Sequence, residues 1–311
     1  MQYGFGVDLG GTTVKIAFFD QDGNILSKWE IPTVTKNKGR QILPDIAASA
    51  LNYLKEQNIS KDDVLGLGIG VPGSVNPSGV VAGCDNLGWD TVDIPEALEA
   101  LTGLRVVAGN DATVAALGEY WKGGGQGCQN MVMVTLGTGV GGGIILDGKP
   151  LHGTYGAAGE IGHMVLNRNE TRPCNCGKRG CVEQYCSATG IVRMAEDYLV
   201  QHPENSCLRG VEKLTCKDIF DAAQKNDGVA KAVLEQAYAY MGEFLANVCI
   251  VLNPRLVVIG GGVSKAGQPL LDGIKRHFDR YIYHASTPVE FKLAALGNDA
   301  GAYGAFKLLL D

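Results

Sequence analysis

The sequence has no surplus of positive charge. Lysine and arginine number 27 against 33 aspartates and glutamates, a formal net charge of −6, so electrostatics give no reason to expect a nucleic-acid partner. A basic segment followed by an apolar core is also missing from the N-terminus, where MQYGFGVDLGGTT stands, and no secretory leader is expected. Long apolar runs are absent too. The most apolar later stretch, Ala246–Leu252, is far short of the roughly 20 residues a helical bilayer crossing needs, and no membrane partner is expected. With no leader to send the chain to an oxidising compartment, its nine cysteines fit a reducing cytoplasm. The 45% hydrophobic and 19% charged residues belong to a folded globular protein, and 311 residues suffice for two domains.

Glycine is plentiful, and its 44 copies cluster in GGT, GTGVGGG and GGG runs. Phe5–Leu9 and Val14–Phe19 read as strands joined by Gly10, Gly11, Thr12 and Thr13. Such a turn brings backbone N–H groups and threonine hydroxyls onto a phosphate. Asp8 stands before it, placed to meet a phosphate-bound Mg²⁺, and Lys15 adds charge just after it. The pattern recurs at Val134–Val140, with Gly137, Thr138 and Gly139 in the turn. Thr135, Gly137 and Asp147 each lie 127 positions after Asp8, Gly10 and Asp20. Two strand–turn–strand units at one offset imply a duplicated domain, and two such turns facing each other would clamp the polyphosphate of ATP.

Between the repeats, Gln41–Gln57 has the spacing of an amphipathic helix, and Val64–Val71 that of a strand. That strand runs into Gly73 and a long loop, Ser74–Trp89, of a length that is often functional. A strand over Arg105–Gly109 ends at Asn110 and Asp111, ahead of a helix over Ala112–Trp121. Ligands bind at the carboxyl ends of strands in α/β sheets. Helix capping also uses Asn and Asp, but it explains one polar residue here more easily than two. Near the C-terminus a strand over Leu256–Ile259 ends in Gly260, Gly261 and Gly262, a place for the adenosine half of a nucleotide, and Asp299–Leu310 reads as a helix.

The stretch Gly159–Glu183 holds His163, Cys174, Cys176 and Cys181. Three thiolates and an imidazole make a closed structural zinc set, and Gly177 and Gly180 free the backbone to wrap an ion. A disulfide is the competing reading, and it needs an oxidising compartment. Glu160 and Glu183 bracket the cluster, where a metal would fix them for a ligand rich in hydroxyls. The remaining cysteines show no motif and are expected as small buried hydrophobes.

GEIGH followed by CNCGKRGCVE resembles the signature of the ROK sugar kinases, most nearly their bacterial glucokinase branch, and the resemblance runs over essentially the whole chain. It implies the actin-like ATPase (ribonuclease H-like) duplicated α/β fold, with two domains and a cleft that closes on the sugar. The smaller domain is expected over 1–116, with the C-terminal helix 297–311 packed back on it, and the larger over 117–296. It implies ATP-dependent phosphorylation of a hexose at the 6-hydroxyl, with Asp111 as base and Gly73, Asn110, Glu160, His163 and Glu183 at the sugar. The matching histidine gives one nitrogen to zinc and one to the sugar. Glucose fits the resemblance best; N-acetylmannosamine, fructose and allose are alternatives, to be distinguished by the loops around Gly73–Trp89 and Tyr155–Ala158. A homodimer is the family habit. ROK regulators share the zinc and sugar motifs, but they carry a helix-turn-helix ahead of the sugar domain and tend to lose the ATP-site pattern.

Overall fold

The computed structural model describes residues 2–311. Along the chain, β1 (Tyr3–Leu9), β2 (Thr13–Asp20) and β3 (Ile25–Pro32) precede α1 (Ile42–Glu56) and β4 (Val64–Val71). The short pair β5 (Val80–Val81) and β6 (Val92–Asp93) leads to α2 (Ile94–Thr102), β7 (Val106–Asn110) and α3 (Asp111–Lys122). A second series opens with β8 (Met131–Leu136), β9 (Val140–Leu146) and β10 (Lys149–Pro150). It continues with α4 (Glu183–Cys186), α5 (Ala188–Gln201), α6 (Cys216–Gln224) and α7 (Gly228–Leu252). Finally come β11 (Leu256–Gly260), α8 (Gln268–Tyr281), β12 (Glu290–Leu293) and α9 (Ala300–Leu310).

Both five-stranded sheets have the same order, β3-β2-β1-β4-β7 and β10-β9-β8-β11-β12. β1 pairs antiparallel with β2 and parallel with β4; β11 runs parallel to both β8 and β12. The repeat seen in the sequence is the repeat of the strands, because Leu136 ends β8 127 positions after Leu9 ends β1. Val140 opens β9 at the same offset from Thr13 in β2. This is the duplicated ribonuclease H-like sheet of the actin-like ATPases.

One compact unit comprises Met1–Gln129, Gly143–Gly159 and Ala295–Asp311; the other comprises Asn130–Gly142 and Glu160–Ala294. The division therefore falls beyond the expected 116, because α3 continues unbroken to Lys122. The segment after Gly143 also returns to the first unit. A methyl group at Gly143 would stand 2.3 Å from Ala116 Cβ, so only glycine lets the strand lie this close to α3. The buried Glu119 carboxylate holds the C-terminal return, accepting the N–H groups of Ala295 and Leu296 at 2.9 and 2.8 Å.

The first unit buries Phe5, Phe18, Ile46, Leu67 and Ile69 between its sheet and α1, each such side chain contributing about 1.5–3 kcal/mol. On the other sheet face, Phe306 of α9 stacks on Phe19 with ring centroids 4.6 Å apart. The second unit packs α5, α6, α7 and α8 around β8 and β11, with Phe244, Leu245, Ile259 and Phe278 at its centre. The long loop after Gly73 contains β5, an element the sequence reading left out. From the last glycine of the triplet the chain forms a 3₁₀ segment, Gly262–Ala266, and α8 begins at Gln268.

Candidate functional site

In the first unit, the turn at Gly10–Thr13 closes a hairpin, with Gly10 N donating to Thr13 O at 3.0 Å. Asp8, at the end of β1, pairs in register with Lys15 on β2, and Lys15 Nζ lies 3.4 Å from its Oδ2. Burial raises the Asp8 pKa, and the Lys15 charge offsets only part of that. A carboxylate held this way favours a cation, the task assigned to it from the sequence.

At the other edge of that unit, Asn110 closes β7 and caps α3, its Oδ1 accepting from Thr113 N at 3.0 Å. The capping role is thus real. The same side chain also donates through Nδ2 to Gly73 O and to Asp111 Oδ1, both at 3.0 Å. Asp111 Oδ1 takes a further bond from Ala112 N at 2.8 Å, which fixes the carboxylate at the positive end of the helix. Asn110, Asp111 and Gly73 are therefore one cluster. Cys84 lies beside it: burial raises the pKa of its thiol, and the Asp111 charge adds to the rise. The two loops expected to govern specificity meet here as well, since a methyl group at Gly156 would stand 2.0 Å from Val75 O.

In the second unit the turn Gly137–Gly139 is bonded from Gly137 N to Gly139 O at 3.0 Å. Parallel pairing of β8 with β11 sets Thr135 opposite Gly260, which brings the glycine triplet alongside the turn. Gly261, at φ +80°, lies flat on Leu136, where a methyl group would be 2.5 Å from its carbonyl oxygen. A cavity of about 650 Å³ in this unit is lined by Phe220, Gln224, Glu235, Tyr238, Ala266 and Pro269, among others, the last two a few residues after the triplet in the chain.

The same unit carries the cysteine–histidine cluster. The donor atoms of His163, Cys174, Cys176 and Cys181 all lie within 4.8 Å of one another. Cys174 Sγ is 3.8 Å from His163 Nδ1, and Cys176 Sγ is 3.6 Å from Cys181 Sγ. A tetrahedron around zinc with bonds of about 2.0–2.3 Å has edges of roughly 3.5–3.8 Å, so these two pairs fit the ion. They do not fit a disulfide, which needs about 2.05 Å, and all three thiols are free. Burial and the neighbouring thiols push Cys181 up to about 12; thiols this close ionise together only around a cation. Gly177 and Gly180 have φ of +79° and +75°, the backbone freedom expected of them.

His163 turns its other nitrogen, Nε2, toward Glu160 Oε2 at 3.9 Å. Glu183 opens α4 with Oε1 3.8 Å from Cys174 Sγ, while its Oε2 accepts from Val140 N at 3.1 Å. Glu160, His163 and Glu183 are thus gathered around the cluster, and Glu183 also touches the end of the glycine turn.

Sequence reasoning missed the residues that hold this segment in shape. Buried Gln184 accepts the N–H groups of Gly180 and Cys181 at 2.8 and 3.1 Å and donates to Arg172 O at 3.1 Å. Glu170 binds Arg172 and the Tyr185 hydroxyl, the latter at 2.7 Å, and the Arg172 bond holds its pKa down at about 2. A polar residue beside the motif in CVEQY was the available signal. Cys207 also departs from expectation: it is exposed, and its N–H is held by Asp227 at 2.9 Å. No helix among the described residues is long and apolar enough to cross a membrane.

A family model described as the ROK family matches residues 4–311. A glucokinase of Halalkalibacterium halodurans is 46% identical over 304 residues, covering 96% of this chain and 92% of that one. A glucokinase of Thermotoga maritima is 34% identical over 312 residues, covering 98% and 96%. Among solved structures, a ROK family glucokinase from Streptomyces griseus in complex with glucose and AMPPNP has a TM-score of 0.80 at 34% identity, covering 98% of both chains.

Proposed function

The chain belongs to the ROK family, and on that footing we propose that it transfers the γ-phosphoryl group of ATP to the 6-hydroxyl of a hexose, with glucose the preferred acceptor. The observation that carries this reading is the repeated turn: both sheets end their first strand in a glycine–threonine turn, at Gly10–Thr13 and at Gly137–Gly139. Phosphoryl transfer asks the protein for position and charge rather than covalent chemistry, and these turns supply amide N–H groups for phosphate oxygens. Asp8 faces the Mg²⁺ that accompanies ATP. Gly261 and Gly262 bear the ribose, and the cavity bounded by Ala266 and Pro269 takes the adenine; its volume is within the range of about 300–1,000 Å³ usual for such ligands.

Asp111 takes the proton of the attacking hydroxyl. Asn110 and Ala112 N hold its Oδ1, so the carboxylate meets the hydroxyl already oriented. With its carbonyl on the α3 cap, Asn110 contributes mainly by positioning Asp111 and the Gly73 loop. Glu160, His163 and Glu183 bond the remaining sugar hydroxyls. His163, Cys174, Cys176 and Cys181 hold one Zn²⁺, which supplies the charge that lets the thiols ionise and keeps this segment folded. The metal takes no part in the transfer.

Coupled ADP release across a panel of hexoses tests the reading. Sugar-dependent turnover with glucose foremost supports it; strong preference for N-acetylmannosamine, fructose or allose moves the acceptor within the same chemistry. ADP release that ignores every sugar overturns it.

A further inference from the structure

Two threonines outside the glycine motifs perform the same task on the two turns. Thr33, just beyond β3, donates its hydroxyl to Gly10 O at 2.7 Å, and its own N–H goes to Thr12 O at 2.9 Å. Thr189, in the first turn of α5, donates its hydroxyl to Thr138 O at 2.7 Å, and Ala188 N donates to Gly137 O at 2.8 Å. In each case one hydroxyl and one backbone N–H take two carbonyl oxygens of the turn. The supporting elements are unrelated, since Thr33 follows a strand and Thr189 opens a helix. The arrangement therefore does not follow from the sheet duplication alone.

A trans peptide is planar, and its C=O and N–H point in opposite directions. Holding Gly10 O turns the Gly11 N–H away from Thr33. Holding Gly137 O and Thr138 O likewise turns the N–H groups of Thr138 and Gly139 away from α5. Successive N–H groups aimed to one side make an anion-binding concavity, whereas a carbonyl rotated into it would repel phosphate. We infer that Thr33 and Thr189 are positioning residues for the nucleotide phosphates, fixing the peptide planes of the two turns without touching ATP. This rests on the reading of the turns as phosphate binders.

The test replaces each hydroxyl by a methyl in Thr33→Val and Thr189→Val, with Thr33→Ser and Thr189→Ser as hydroxyl-retaining controls. Thr189 Oγ1 also lies 2.9 Å from Ser187 Oγ, which caps α5, so thermal unfolding is measured on every variant. The readouts are KM for MgATP, KM for glucose, and the Kd of MgADP by calorimetry. Expected are a rise of about three- to tenfold in the MgATP KM and MgADP Kd of the valine variants, the scale of one hydrogen bond. The glucose KM should stay at the wild-type value, and the serine variants should recover nucleotide affinity. Valine variants with wild-type nucleotide affinity would overturn the inference, as would a parallel rise in the glucose KM or serine variants as weak as the valines. A wild type that binds no MgADP would instead overturn the phosphate reading itself, so the two failures are distinguishable.

Discussion

Glu183 Oε2 accepts the backbone N–H of Val140 at 3.1 Å, which joins the carboxylate after Cys181 to the residue after the second glycine turn. A side chain proposed for the sugar thus also holds backbone of the turn proposed for the nucleotide. Glu183→Ala removes both contacts, and KM should rise by about tenfold or more for glucose, which loses a hydrogen bond to a charged group, and by about threefold for MgATP, which loses only support for its turn. Glu183→Gln keeps an oxygen for Val140 N–H, so it should restore the MgATP value and leave the glucose value high. Steady-state kinetics on the two variants decide; an unchanged MgATP KM in Glu183→Ala would show that the bond to Val140 does not matter for nucleotide.

Elemental analysis of the purified protein should find one zinc per chain. Cys176→Ser removes a ligand, so zinc should be lost and the segment from Gly159 to Glu183 loosened. KM should then rise more for glucose than for MgATP if, as proposed, Glu160 and His163 bond the sugar while Glu183 bonds both the sugar and the second turn. A metal-free wild type with full activity would remove the zinc assignment.

Asp8 gives a prediction with a pH sign. Its pKa is raised in the folded state, chiefly by burial, so the folded chain binds the proton more tightly than the unfolded one. Stability from this group is greatest below the unfolded pKa and falls as pH rises through the higher folded value. At pH 7 the ionised, buried carboxylate therefore costs stability. Asp8→Asn should unfold at an equal or higher temperature than wild type at pH 7, with the advantage shrinking toward pH 4, while Mg²⁺-dependent turnover collapses. Thermal unfolding at the two pH values checks it; a clear loss of stability at pH 7 would contradict it.

Two glycines of the second unit should respond differently. A methyl group at Gly137 meets nothing within 4 Å, whereas at Gly261 it meets the Leu136 backbone at 2.5 Å, in a residue with φ +80°. Gly137→Ala should keep the wild-type melting temperature and lose MgATP affinity, because the added methyl occupies space the phosphate needs. Gly261→Ala should lose stability as well, through clash and backbone strain. A Gly137→Ala protein with unchanged MgATP affinity would argue that its turn is structural.

The duplicated sheet was legible because its signal is local: strand ends and glycine turns recur at one fixed offset, and burial enforces the alternation around them. The cysteine–histidine cluster was legible because its donors fall within one short stretch. The division between the units was not, because it depends on Gly143 meeting Ala116 and on Glu119 binding Ala295 and Leu296, contacts between residues far apart in sequence. The same holds for Thr33, Thr189 and Gln184, ordinary polar residues whose roles exist only once a distant carbonyl or amide is beside them. Asn110 was half legible: the sequence placed it at the strand end but could not show that capping and Asp111 share its side chain.

Phosphate transfer to the sugar's 6-hydroxyl with Asp111 as base is measured most directly by following ADP and sugar phosphate together, for wild type and Asp111→Asn, with glucose and MgATP. Wild type should form one glucose 6-phosphate per ADP and release little ADP without glucose. Asp111→Asn should bind glucose nearly as tightly while kcat falls by about 10²-fold or more, the scale of general-base catalysis. ADP formed without sugar phosphate, phosphate on another hydroxyl, or an Asp111→Asn kcat within about threefold of wild type would contradict it.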